Sequence, residues 1–146
     1  MTQVSSTIMI HASADAIWRL ISDFGAAGQH LAMVVTCTVK GEGVGARRTL
    51  TYGDGSTIVE RMQTLDEAAR QLSYVLLTDT PFGDCRTSMV ARDLDPNQAE
   101  LRWSVTFQPD GLPETEAVAL LEGALAANCL ALKRFMEAGG TAPGRP

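Results

Sequence analysis

Apolar and polar positions alternate from Gln3 to Ala12. Val4, Ser6, Ile8 and Ile10 fall on one side and Ser5, Thr7, Met9 and His11 on the other, the two-residue period of a strand. His11 points away from the isoleucines, at a solvated strand end. Ser13 then caps a short helix running to Asp23, with Asp15 in its first turn and Ile17, Leu20, Ile21 and Phe24 on one face. Gly25 and Gly28 bracket a break, and Gln29-His30-Leu31 reads as a second short helical turn. From Met33 the pattern returns to strands: Met33 to Lys40, Arg47 to Tyr52, Thr57 to Leu65, Gln71 to Thr78, Cys85 to Asp93 and Glu100 to Gln108. Gly53-Asp54-Gly55-Ser56 is a strong hairpin signal, Asp66 to Ala69 and Asp95-Pro96-Asn97 are turns, and Thr80-Pro81-Phe82-Gly83 interrupts.

The period then changes to that of a helix from Pro113 to Met136. Pro113, Glu114 and Glu116 suit its start, and Lys133 and Arg134 followed by Gly139-Gly140 suit its end. On a helical wheel Thr115, Glu122, Lys133 and Glu137 gather on one side, and Ala117, Leu121, Ala124, Leu125, Leu132 and Phe135 on the other. Asn128 sits in the middle of that apolar side. A buried amide must be hydrogen-bonded or it costs roughly 1–3 kcal/mol. Either it bonds to backbone as a core residue, or the face lines a cavity, with Ala117, Ala124 and Ala131 leaving room and Asn128 orienting a guest. The sequence leaves both readings open.

One strand, two short helices, six strands and a long helix make an α+β fold in which an antiparallel meander covers one helix. A curved sheet closed over a helix encloses a space between them. The chain has 146 residues with 45% apolar and 20% charged, so one domain over residues 1–138 is expected, with 139–146 as a disordered tail. A net charge of −5 with no basic cluster beyond Arg47-Arg48 argues against nucleic acid as a partner. No uninterrupted apolar run reaches the length of a membrane span, and the N-terminus shows no basic-then-apolar signal pattern, so a cytoplasmic location is the default expectation. Cys37, Cys85 and Cys129 show no Cys-x-x-Cys spacing and read as three reduced, buried thiols. With only His11 and His30, a metal site is not expected. Gly41 to Gly45 lacks a phosphate-cradling Gly-Lys-Ser/Thr, and no cofactor is expected.

In order and content the chain resembles the SRPBCC superfamily, the helix-grip fold of START domains and birch-pollen allergens. It is most similar to bacterial polyketide cyclase/dehydrase-like members and to the abscisic-acid receptors. The stretches that carry the resemblance are Ser13-Ala-Asp-Ala-Ile-Trp-Arg-Leu-Ile-Ser-Asp-Phe24, Gly43-Val-Gly-Ala-Arg-Arg-Thr-Leu50, Glu60-Arg61-Met62 before Asp66, Trp103 and the Asn128 to Leu132 helix segment, spanning Gln3 to Glu137. The resemblance implies a seven-stranded curved sheet and a hydrophobic ligand cavity against the C-terminal helix. It places a gate at Tyr52-Gly-Asp-Gly-Ser56 and a latch around Thr78 to Phe82. It also implies polar ligand contacts at Gln29, where the receptors carry a lysine, and at Glu60, Gln108 and Asn128. The missing lysine argues against carboxylate binding and a hormone-receptor role.

The residues themselves nominate further chemistry. Ile58, Glu60 and Met62 share one side of a strand, so Glu60 is either a cavity carboxylate fit for general acid/base work or half of a surface ion pair with an arginine on a neighbouring strand. Tyr74 shares a face with Leu72 and Leu76 and either donates to a ligand carbonyl or packs in the core. His30, near the expected mouth, is a candidate proton carrier at neutral pH or a structural residue. Glu60, His30 and Tyr74 are thus the candidate catalytic groups, and Gln29, Glu60, Tyr74, Leu76, Gln108, Leu121, Ala124 and Asn128 the candidate ligand contacts. On the last strand, hydrophobicity turns Trp103, Val105 and Phe107 inward, whereas the resemblance turns Gln108 inward with Thr106 and Ser104. If Trp103 and Phe107 lay outside they would form a patch suited to a homodimer. Lys40 and Lys133, the only lysines, are placed where lysine-based chemistry is excluded, and no Gly-x-Ser-x-Gly elbow is present. The expected function is binding of a small hydrophobic, partly oxygenated molecule, with a polyketide cyclase/dehydratase-type enzyme as the alternative and an interaction module as a third possibility.

Overall fold

The computed structural model describes residues 1–140, so the expected tail lies, beyond residue 140, outside the described residues. Strand β1 (Thr2–Ile10) leads into α1 (Ala14–Ser22), a 3-10 turn (Phe24–Ala26) and α2 (Ala27–His30). Six strands follow: β2 (Val34–Lys40), β3 (Arg47–Tyr52), β4 (Thr57–Asp66), β5 (Gln71–Leu76), β6 (Phe82–Asp95) and β7 (Gln98–Pro109). The chain then closes with α3 (Glu114–Glu137). The strands form one antiparallel sheet in the order β1-β7-β6-β5-β4-β3-β2. The helical excursion after β1 thus carries the chain across to the far edge, and a plain meander brings it back beside β1. This is the helix-grip fold.

Local chemistry accounts for the boundaries. The Ser13 hydroxyl accepts from the Ala16 N–H at 3.1 Å, satisfying one of the free amides of α1. Ile17 and Leu20 of the same helix are almost completely enclosed. The Trp18 indole donates to Glu67 at 2.6 Å, pinning α1 to the β4–β5 turn. Pro113 occupies the cap of α3, and Gly139 ends it at φ +89°, a left-handed conformation that glycine adopts without strain. β6 begins three residues before the expected Cys85, because Phe82 and Gly83 still pair with Pro109 and Gln108 of β7. The chain then bulges around Asp84, at φ +47°.

α3 lies beside β1 and parallel to it. The Thr2 hydroxyl donates to Glu114 at one end, and at the other Lys133 donates to the Met9 carbonyl while Glu137 accepts from the His11 N–H, each at 2.9 Å. This refines the expected polar face of α3: Lys133 and Glu137 lie on it, paired with each other at 2.6 Å, and from there also reach across to β1. It also revises the membrane reading. α3 is long and apolar enough to cross a membrane by length and composition, although it serves here as the helix that the sheet grips. Of the three free cysteines only Cys129 is buried; Cys37 and Cys85 are half-buried.

Candidate functional site

A cavity of about 390 Å³ lies between the sheet and α3. Leu50 of β3, Ile58 of β4 and Leu76 of β5 supply one apolar wall, and Trp103 and Val105 of β7 the opposite one. Leu121, Ala124, Leu125 and Asn128 of α3 form the third side. Leu31, Tyr52 and the Thr80–Phe82 segment complete the lining. Strand alternation is the cause: positions 46, 48 and 50, positions 72 and 74, and positions 101, 103, 105 and 107 all point inward.

Into this greasy space project a few polar groups. Glu60 and Arg48 stand opposite each other on β4 and β3, and Arg48 Nε donates to Glu60 Oε1 at 2.8 Å with both side chains nearly buried. Arg48 Nη1 also reaches the Phe24 carbonyl at 3.3 Å, and its guanidinium lies 4.1 Å above the Phe24 ring and 4.7 Å from the centre of the Tyr74 ring. Burial works against the guanidinium charge, but the groups around it, the Glu60 carboxylate foremost, together more than offset it, so Arg48 remains cationic. Tyr74 stacks at a tilt on Phe24, 5.7 Å between centroids. Burial, reinforced by the Glu60 charge, pushes its phenol well above the ordinary range, so at neutral pH the hydroxyl is a hydrogen-bond donor and not a base. Cys85, also on the wall, is pushed up to about 11 by burial and then by Glu60, and its thiol stays protonated.

Asn128 reconciles both of its sequence readings. Its Oδ1 accepts from the Ala32 N–H at 2.9 Å, tying α3 to the segment after α2, while the residue also lines the cavity. Its amide NH2 has no protein partner among the described residues and is free to donate.

Glu60, Tyr74, Leu76, Leu121, Ala124 and Asn128 thus all line the one cavity. Gln29 and Gln108 do not: both are exposed, and neither lines the cavity. For Gln108 the hydrophobic alternation prevails, because Trp103, Val105 and Phe107 take the inward positions and a strand cannot present both sets to one side. The outward Trp103/Phe107 patch that would have supported a homodimer is therefore not formed. The surface reading of Glu60 is also corrected, since the ion pair exists but is buried.

His30 is buried rather than placed on the cavity wall, and its Nδ1 has no hydrogen-bond partner. Burial, with Arg48 nearby, lowers its pKa from 6.5 to about 4, so it is neutral at pH 7 and unsuited to carrying protons there. Between pH 6.5 and about 4 the unfolded chain binds a proton that the folded chain refuses. Stability should therefore fall as pH drops through that window, by about 3 kcal/mol in all. Urea titrations of wild type and His30→Leu at stepped pH check this: the variant should lose most of the slope, and an unchanged slope would assign it elsewhere.

Sequence reasoning missed Arg48, although the signal was present. The Gly53–Ser56 turn fixes the β3–β4 register, and that register sets Arg48 against Glu60 between inward Ala46 and Leu50. It also missed Thr87, which faces Tyr74 in register on β6, and the Phe82–Phe107 contact, an edge-on pair at 5.6 Å.

A sheet that grips one helix over an apolar hollow defines the class. The family model described as polyketide cyclase/dehydrase and lipid transport matches residues 1–137, and the chain belongs to that family. Among solved structures it is similar to the protein XoxI from Bacillus cereus, at 24% identity and TM-score 0.84, covering 92% of this chain and 94% of that one. It is also similar to a START superfamily protein from Mycobacterium smegmatis, at 20% identity and TM-score 0.79, covering 93% and 97%. A third is the di-domain ARO/CYC BexL from the BE-7585A biosynthetic pathway, at 21% identity and TM-score 0.78, where 94% of this chain covers 47% of that one. These likenesses establish the fold. No curated protein matches the chain in sequence.

Proposed function

We propose that the chain encloses one small, largely hydrophobic molecule bearing a few oxygens. The observation that carries this reading is the apolar cavity of about 390 Å³ with donors at its wall, the Tyr74 hydroxyl and the free amide of Asn128, beside the buried Arg48–Glu60 pair. Apolar walls supply affinity through burial, and the donors select and orient oxygens on the guest. Native mass spectrometry of the protein as purified should show the chain with an added small-molecule mass that is lost on denaturation. The fluorescent probe anilinonaphthalene sulfonate should bind the wild type and be excluded by Ala124→Trp. Absence of any added mass, together with probe binding that the tryptophan leaves intact, would sink the proposal.

A second reading, an enzyme of the cyclase/dehydratase type, is favoured by the family description and by the protonated phenol standing near a buried carboxylate. In that case the cavity folds a reactive chain, Glu60 moves protons, and Tyr74 or Asn128 polarises a carbonyl. Glu60→Gln separates the two, once its fold is verified. A carrier would show altered affinity and no turnover in either form, whereas an enzyme would lose rate by orders of magnitude with affinity nearly kept.

A further inference from the structure

α3 has a second apolar face, turned away from the sheet. Leu120 and Leu130 are 53% and 40% exposed, and Gly123, Ala126 and Ala127 lie exposed between them. A surface helix normally presents polar residues there, and a helix apolar all round is normally covered on both sides. Gly123 is the sharper anomaly. A Cβ built on it meets nothing within 4 Å, so the single chain has no steric need of glycine at that point. Glycine in a helix interior is the least favourable residue apart from proline. A close-approaching backbone from outside would supply the missing reason.

The spacing along this face says what approaches. Glu116, Leu120, Gly123, Ala127, Leu130 and Arg134 alternate steps of four and three residues, the seam of a coiled coil. The seam is self-complementary when reversed about Leu125: Glu116 falls opposite Arg134, Leu120 opposite Leu130, and Gly123 opposite Ala127. Among the described residues neither Glu116 nor Arg134 has an ion-pair partner. We propose that α3 packs against α3 of a second copy of this chain, antiparallel about a two-fold axis at Leu125. Two Glu116–Arg134 pairs flank a centre where Gly123 and Ala127 let the helices come close. A parallel arrangement would set Glu116 against Glu116 and Arg134 against Arg134, so charge selects the antiparallel one. A lipid surface fits less well, because Glu114, Glu116 and Glu122 neighbour the face and the chain carries a net charge of −5.

Sedimentation equilibrium over a dilution series tests the proposal. The wild type should approach twice the 15.6 kDa chain mass at high concentration and dissociate on dilution. Gly123→Leu should sediment as a single chain throughout, while keeping a thermal stability in dilute solution at least equal to that of the wild type. Glu116→Arg and Arg134→Glu should each weaken association roughly tenfold or more, and the double variant should restore it by exchanging the charges. A wild type of single-chain mass at every concentration would overturn the pairing, and so would a dimer indifferent to Gly123→Leu. Flotation of a monomeric wild type with phosphatidylcholine vesicles would reassign the face to lipid and overturn it as well.

Discussion

Arg48→Ala should destabilise the fold by about 3–5 kcal/mol, the cost of leaving a buried carboxylate without its partner. The guanidinium meets Glu60 at 2.8 Å, the Phe24 carbonyl at 3.3 Å and two aromatic faces, so its loss removes a hydrogen bond and the packing between Phe24 and Tyr74 together. Glu60→Ala should cost a similar amount, because the cation then stays behind. The double replacement Arg48→Met with Glu60→Leu should recover most of the loss, since two well-packed apolar side chains avoid the desolvation of both ions. Urea denaturation of the four proteins measures this. Single losses under about 1 kcal/mol, or a double variant as unstable as the sum of the singles, would show that the pair is not acting as a buried unit. The result bears on function, because it separates what the pair does for the fold from what Glu60 does for a guest. A fold-competent double variant that no longer binds would assign the oxygens of the guest to these charges.

Phe107→Ala carries the second large effect, a loss of about 3–5 kcal/mol for emptying a fully enclosed aromatic site. In a domain of this size that corresponds to a fall in Tm of about 10 °C or more. Phe107 has no exposed surface, and its neighbour Phe82 meets it edge-on at 5.6 Å and 78°. Phe82 also lines the cavity, so the variant should loosen the Thr80–Phe82 segment and speed hydrogen exchange there ahead of the rest of β6. Phe82→Ala should cost less, since that ring is only half-buried. Calorimetry and site-resolved exchange together check the argument. A mild Phe107→Ala with unaltered exchange in the Thr80–Phe82 segment would refute the coupling.

Much of the architecture was legible because it follows from local chemistry. The alternation through β1, the Ser13 cap, the Gly53–Ser56 turn and the Pro113 and Gly139 boundaries all act within a few residues, and the structure keeps each. Within the cavity, Glu60, Tyr74 and Asn128 were legible for the same reason: each occupies an inward slot in a periodic pattern. Gln108 shows where a family likeness misleads, because alternation had already filled the inward positions of β7 with Trp103, Val105 and Phe107. Gln29 fails differently, since four residues of helix carry too little periodicity to report a direction.

The chain by itself determined which segments extend, which coil and which side of each segment is greasy, because sterics, turn residues and apolar spacing are written into neighbouring positions. Only the tertiary structure decided which of those sides meet. It buried the Arg48–Glu60 pair against Phe24 and Tyr74, neutralised His30 by burial, and tied Lys133 and Glu137 to β1 while leaving Leu120 and Leu130 exposed. These outcomes depend on contacts between residues far apart along the chain, and the free energy of a charge or an apolar face is settled by what finally surrounds it.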